Sequence, residues 1–127
     1  MNEASRAKYL SIALYVFGAI FVVGVYGMMM LMPASWTWEP RQPEYEQMII
    51  GVYIVLGIFM IRAARNPSEH LSLIRFAIWS SLVHGLIMLV QALRDSTETP
   101  NLYGDIPALL LVAVVLWVLL PKKSALA

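Results

Sequence analysis

The sequence predicts an all-α fold: an integral membrane bundle of four transmembrane helices in antiparallel, up-down order. Of the 127 residues, 60% are hydrophobic and 13% are charged, whereas a soluble domain carries about 25% charged residues. Four apolar stretches are separated by short polar segments, and a helix needs roughly 20 mainly apolar residues to cross a bilayer. We therefore expect one transmembrane domain, residues 1–127, with spans at about 9–32, 45–64, 68–93 and 105–120.

The first two spans carry residues that are typical of membrane-helix ends. Leu10–Met32 contains no charged residue and exceeds the roughly 7–15 apolar residues of a signal-peptide core, so we expect it to remain as a helix. Pro43 suits the first position of the second helix, and Glu44 and Glu46 favour the positive end of its dipole. The apolar core of this span, Met48–Ile61, reaches membrane length only with its flanking turns.

The last two spans are bounded by similar signals. The third helix is preceded by a typical start signal, in which Asn66 is the cap, Pro67 lies in the first turn and Glu69 is the capping-box acid. Asp105 is placed to cap the fourth helix, and Pro121 ends it.

Positive charge on the short loops predicts the orientation of the chain. With four spans, the N-terminus, the second loop and the C-terminus share one side, which carries Arg6, Lys8, Arg62, Arg65, Lys122 and Lys123. The other side carries only Arg41 and Arg94. We therefore expect a multi-pass protein of the inner (plasma) membrane with both termini in the cytoplasm.

The third span concentrates polar residues on one face. At 100° per residue, Ser80, Ser81 and Gln91 fall within about 60° of His84. Polar groups that face lipid are costly, so this stripe should point into the bundle or into a subunit contact. A neutral imidazole at mid-membrane also needs a hydrogen-bond partner, and Ser80 or Ser81 lies one turn away.

Three roles for His84 are compatible with this pattern. The first is structural, with the Ser, His and Gln side chains joining helices by hydrogen bonds worth about 1 kcal/mol each. The second is a proton or substrate site centred on His84. The third is haem ligation, because His70 and His84 share a face about 21 Å apart along the axis, as in di-haem membrane cytochromes. That third role would require a homodimer, since the chain has one such helix.

Three further residues are candidate contacts to lipid or to a partner. Arg75 lies opposite His84, with no acid at its depth, which favours snorkelling to the headgroups or contact with an anionic lipid or another subunit. Trp36 and Trp38 lie in the proline-rich segment Pro33–Gln42, and tryptophans near a membrane boundary usually lie at headgroup depth. The alternative for these two is a lid over a ligand.

The composition excludes several functional classes. The chain has no cysteine, which excludes disulfides, iron–sulfur clusters and thiolate chemistry. Its net charge of +1 gives no reason to expect a nucleic-acid partner. No nucleophile–base–acid constellation is recognisable, which is the main case against an enzyme. We expect no metal and no cofactor apart from the haem alternative.

Two sequence runs carry a family resemblance. Arg65–His70, followed by Phe76–His84, resembles a family of short bacterial four-span membrane proteins of unknown function. The resemblance covers the second to fourth helices and centres on the Trp-Ser-Ser-x-x-His run that begins at Trp79. It implies the four-helix fold and marks Trp79 as a candidate lipid or partner contact, but it brings no activity. Small multidrug transporters differ by a glutamate in their first helix, and fluoride channels by Gly/Asn/Phe-rich motifs.

The leading functional expectation is a non-enzymatic accessory or structural subunit of a homo-oligomer or a larger membrane complex. Its partners would be membrane lipids and other membrane subunits. The alternative is a small transporter or channel with a proton or substrate site at His84. A haem-binding electron carrier that uses His70 and His84 is the third hypothesis.

Overall fold

The computed structural model of the protein describes residues 1–122, and every regular element in that range is helical. Lys123, which the orientation argument counts, lies outside the described residues. The elements are α1 (Glu3–Leu31), a single turn α2 (Pro33–Trp36), α3 (Pro43–Ala63), a 3-10 turn (Pro67–His70), α4 (Leu71–Arg94), a 3-10 helix (Ser96–Tyr103) and α5 (Asp105–Leu119).

Three of these helices are long and apolar enough to cross a membrane. They are α1, α3 and the segment Pro67–Arg94, which contains α4. Helix α5 has 15 residues, or roughly 22 Å at 1.5 Å per residue, which is short for a hydrocarbon core of about 30 Å. It passes the same test only together with Ser96–Tyr103, from which it is bent by 46°. The described chain therefore has three membrane-length helices, and four if the bent pair counts as one span.

Helix α1 contains a local departure from α-helical geometry. Ile20–Gly24 is π-helical, and the backbone N–H of Val25 donates to the carbonyl of Ile20. Such turns insert one extra residue into a helix and occur often at functional sites. The sequence analysis predicted an uninterrupted helix here, because hydropathy reports apolar character and not the hydrogen-bond pattern.

One end of the molecule is tightly packed. Side chains from α1, α3, α4 and α5 are fully buried there: Leu10, Leu14, Met60, Ile74 and Leu116. Two hydrogen bonds tie the helix ends together. Arg6 Nη1 donates to the carbonyl of Val118 at 2.6 Å, and Ser11 Oγ donates to the carbonyl of Ala64 at 2.6 Å. The N-terminus, the end of α3 and the end of α5 therefore meet at this end.

Helices α1 and α3 cross at two glycines. A Cβ atom added to Gly57 would lie 2.6 Å from the carbonyl oxygen of Gly18, and one added to Gly18 would lie 2.8 Å from the carbonyl oxygen of Gly57. The backbones are therefore in direct contact, as small residues permit in membrane bundles. Helix α3 packs mainly on α1 and touches α4 sparsely, while α4 packs mainly on α5.

At the opposite end, the loop after α1 is held by the segment that precedes α5. Glu98 is 5% exposed; its carboxylate accepts from the backbone N–H of Glu39 at 3.1 Å and from Asn101 Nδ2 at 2.7 Å. A Cβ atom on Gly104 would lie 2.1 Å from the carbonyl oxygen of Ser35. These contacts fix the position of the loop that carries the two tryptophans.

Candidate functional site

A cavity of about 250 Å³ lies between α1, α3 and α5. The side chains of Phe17 and Phe21 from α1 form part of its wall, and the loop residues Trp36 and Trp38 line it as well. Phe21 belongs to the π-helical turn, so the irregular part of α1 borders the cavity. The volume is near the lower end of the roughly 300–1,000 Å³ of small-molecule sites, which suits a compact ligand.

Part of the polar wall of the cavity is a hydrogen-bonded pair from two helices. The hydroxyl of Tyr53 on α3 lies 2.5 Å from Nδ1 of His84 on α4, and the two rings are stacked with their centroids 6.0 Å apart. Phe21 meets the Tyr53 ring edge-on at a centroid distance of 5.1 Å. When the imidazole is neutral and protonated on Nε2, its Nδ1 accepts a hydrogen bond from the tyrosine hydroxyl. The pair joins α3 to α4 where those helices otherwise have few contacts.

The partner of His84 therefore differs from the one expected. The sequence analysis named Ser80 or Ser81, one turn away on the same helix. In the structure Ser80 Oγ is directed to the carbonyl of Ala77 at 3.4 Å, and the ring of His84 bonds to Tyr53. A serine that bonds the carbonyl of its own helix satisfies its hydroxyl locally, which leaves the imidazole to a neighbouring helix.

The predicted polar stripe on α4 is divided between two environments. Ser81 is buried, and Ser80 and His84 are half-buried. These three line a second, smaller space of about 130 Å³ between α3 and α4, together with Tyr53. Gln91, nearer the end of α4, is exposed. Tyr53, His84 and Ile49 border both spaces, so the two spaces meet at these side chains.

The remaining sequence candidates do not join this site, except for the two loop tryptophans. Arg75 is exposed, and Trp79 is 64% exposed. Among residues 1–122 the ion pairs are Arg6–Glu3 and Arg41–Glu46, so Arg75 is in none of them. His70 is half-buried in the 3-10 turn before α4. Within the same described range, no three His, Cys, Asp or Glu side chains cluster to hold a metal ion.

Sequence reasoning missed two carboxylates of the cavity, Asp105 and Glu46. Asp105 was assigned as a helix cap, but the cap position belongs to Gly104 and Asp105 is the first residue of α5. Its Oδ1 is buried and, within the described chain, has no hydrogen-bond partner. Glu46 accepts from Arg41 at 2.7 Å; this hydrogen bond and the negative charge of Glu46 raise the pKa of the Arg41 guanidinium. The structure shows that Glu46 is paired with Arg41, whereas Asp105 is in no ion pair among the described residues. The sequence does not reveal this difference.

Helices of this length and hydropathy around a cavity with aromatic walls define an α-helical protein of the integral-membrane type. The chain belongs to a family of unknown function, DUF6632, whose profile matches residues 4–126. The match includes α1, which the resemblance noted in the sequence did not cover. No curated protein matches the chain, and no solved structure does.

Proposed function

We propose that this protein is a bacterial inner-membrane protein that binds a small, largely apolar molecule in the cavity beneath Trp36 and Trp38. It acts without chemical conversion of that molecule, as a small carrier with its substrate site at the Tyr53–His84 pair. The observation that carries this proposal is the cavity, whose lining combines aromatic and aliphatic side chains with a few polar groups, among them the hydrogen-bonded pair. Burial of most of a ligand surface among apolar and aromatic side chains is the usual basis of small-molecule affinity.

The proposed topology has four antiparallel spans, with the bent segment Ser96–Tyr103 and α5 together as the fourth. Both termini lie in the cytoplasm, since the tightly packed end carries Arg6, Lys8, Arg62 and Arg65 and basic residues favour that side. The cavity then lies in the outer half of the membrane, with its tryptophan loop at the external surface. In this arrangement Trp36 and Trp38 can lie at headgroup depth and also cover a ligand in the cavity, so the two roles expected for them are compatible.

The position of His84 favours a role in moving the ligand through the protein over a role in binding it alone. Its ring and that of Tyr53 separate the cavity from the space between α3 and α4. Rotation of either ring would join the two spaces. The imidazole and the phenol at this partition both offer hydrogen-bonding groups to a passing molecule.

Ligand binding is measured by quenching of the cavity tryptophans with a bromine-containing probe. The probe is para-bromoneopentylbenzene, and the background variant carries Trp79→Phe and Trp117→Phe, which removes two tryptophans that are 64% and 70% exposed. Quenching then reports contact with Trp36 and Trp38.

A matched pair of α5 variants separates binding in the cavity from partition into detergent. Ala108→Phe fills the cavity that Ala108 lines, while Val114→Phe adds a ring on an exposed position of the same helix. Saturable quenching should persist in Val114→Phe and fall about tenfold in apparent affinity in Ala108→Phe, which corresponds to about 1.4 kcal/mol. Equal quenching in both variants would show partition only and would end the proposal.

The subunit hypothesis is the second candidate, and one observation favours it. The space between α3 and α4 is lined by Ser80, Ser81 and His84, and polar groups exposed to hydrocarbon are costly. A helix of another copy or of a partner subunit would cover it. Because the sequence has no cysteine, a single Val52→Cys at the rim of this space gives a clean crosslinking test, with exposed Val114→Cys as control. A disulfide-linked dimer from Val52→Cys alone supports the homo-oligomer.

The haem hypothesis stays a prediction from the spacing of His70 and His84. In the structure Nδ1 of His84 bonds to Tyr53, which leaves Nε2 as the nitrogen that would have to bind iron. A visible absorption spectrum of the purified protein decides this question.

A further inference from the structure

We infer that the cavity selects an organic cation, a substituted ammonium group with an apolar body, held by the carboxylate of Asp105 and the rings of Trp36 and Trp38. This inference rests on the proposed function, because it names the chemical class of the ligand for that cavity. The inference specifies that the ligand carries a positive charge. Neither the hydropathy of the chain nor its family membership indicates such a charge.

The first support is the sign of the charges around the cavity. Its described lining contains two carboxylates, Asp105 and Glu46, and no lysine or arginine. An anionic ligand would therefore find no lysine or arginine in the described lining, and of the two acids only Asp105 lacks a cationic partner. A neutral ligand would leave the charges as they are, and only a cation gains from them.

The second support is the difference between the two carboxylates. Glu46 is already paired, since Arg41 donates to it at 2.7 Å. Asp105 forms no ion pair among residues 1–122, and its Oδ1 is buried without a hydrogen-bond partner. A buried polar atom in this condition is rare in folded proteins and calls for a missing partner. A cation in the adjacent cavity supplies the counter-charge that this carboxylate lacks.

The third support is the aromatic wall. Trp36, Trp38 and Tyr45 line the same cavity, as does Tyr53. The faces of such rings carry negative electrostatic potential, and substituted ammonium ions bind against them, best against tryptophan. Because such an ion is less strongly hydrated than a bare ammonium, a site that combines these rings with one unpaired acid favours an alkylated amine with an apolar substituent.

The test compares two probes of the same shape. Para-bromobenzyltrimethylammonium is charged at every pH, and para-bromoneopentylbenzene has a carbon atom in place of its nitrogen. Both are titrated into the Trp79→Phe, Trp117→Phe background in a neutral detergent, with quenching of Trp36 and Trp38 as the signal. The ratio of the two affinities isolates the contribution of charge.

Two variants assign that contribution to Asp105. Asp105→Asn removes the charge and keeps the size of the side chain, while Glu44→Gln removes a charge from an exposed residue in the first turn of α3. The cation should bind at least about tenfold more tightly than the neutral probe in the parent and in Glu44→Gln. In Asp105→Asn the ratio should fall to about one while the affinity for the neutral probe is unchanged, which also shows that the cavity is intact.

The outcomes separate this inference from the proposed function. If the neutral probe binds and the cation does not exceed it, the inference is wrong and the binding function stands. An unchanged ratio in Asp105→Asn likewise overturns the inference, because the charge preference then arises elsewhere. If neither probe gives saturable quenching, both the binding function and the inference fail.

Discussion

The contact between Gly18 and Gly57 makes the substitution Gly57→Ala the sharpest test of the helix arrangement. The added methyl group would lie 2.6 Å from the carbonyl oxygen of Gly18, 2.9 Å from Cβ of Phe21 and 2.9 Å from a methyl of Val22. The first of these atoms belongs to the backbone and cannot rotate away. Helix α3 must therefore move off α1 by several tenths of an ångström or more.

The expected cost follows from two opposing effects. Forcing an extra methyl group into a packed interface costs typically about 1–3 kcal/mol, and replacing a helical glycine by alanine returns about 0.5–1 kcal/mol. We expect a net destabilisation of about 1–2 kcal/mol for Gly57→Ala. Gly51 on the same helix has nothing within 4 Å of its added methyl group, so Gly51→Ala should be neutral or stabilising by up to about 1 kcal/mol.

The assay is reversible unfolding in mixed micelles with increasing sodium dodecyl sulfate, followed by circular dichroism. The two variants should differ by about 1–3 kcal/mol in the free energy of unfolding, with Gly57→Ala the less stable. Because Phe21 lines the cavity, Gly57→Ala should also weaken quenching of the cavity tryptophans by the probe. Equal stability of the two variants would show that α1 and α3 do not cross at these glycines.

Three other predictions concern the partition, the loop and the topology. Tyr53→Phe and His84→Leu should each lower the free energy of unfolding by about 0.5–1.5 kcal/mol, and the double variant should cost less than their sum; strict additivity would mean that the two side chains do not interact. Glu98→Ala removes the acceptor for the loop N–H, so acrylamide should quench Trp36 and Trp38 more strongly than in the parent; unchanged quenching would show that the loop is held elsewhere. Reporter fusions after Arg65 should be cytoplasmic and fusions within residues 95–100 external; the reverse pattern would overturn the charge argument.

Much of the helical architecture is predictable because bilayer length is a constraint that the sequence shows directly. Long apolar stretches with at most one charged residue predicted α1, α3 and α4, with bounds within a few residues on most sides. Proline and acidic residues at the start of α3 acted through backbone geometry and the helix dipole, which are local effects. Such effects can be derived from neighbouring residues alone.

The fourth predicted span, 105–120, matches the bounds of α5, but the sequence analysis did not predict the bent 3-10 helix that precedes it. Its hydropathy is high enough for a straight helix at residues 105–120, but α5 is preceded by the 3-10 helix Ser96–Tyr103 and a bend at Gly104. Gly104 and Pro100 mark the break in hindsight. The reason for the bend lies in another part of the chain, since Gly104 packs on the backbone of Ser35.

The candidate site could be predicted only in part, because it is formed by contacts between distant parts of the chain. Periodicity on one helix identified His84 and its polar neighbours, because helical spacing is a local property. Tyr53 lies within the second predicted span, but nothing in the sequence joins it to His84. Asp105 looked like an ordinary helix-start acid, and its unpaired oxygen becomes apparent only when the cavity beside it is known.

The most direct test of the cavity as a cation-binding site is the location of the bromine atom in a crystal of the protein grown with para-bromobenzyltrimethylammonium. Anomalous diffraction at the bromine edge identifies that atom independently of the surrounding detergent. We predict a single strong peak between α1, α3 and α5 beneath Trp36 and Trp38, with the trimethylammonium group beside Asp105. Bromine peaks confined to the detergent belt around the helices, with none in the cavity, would contradict the account.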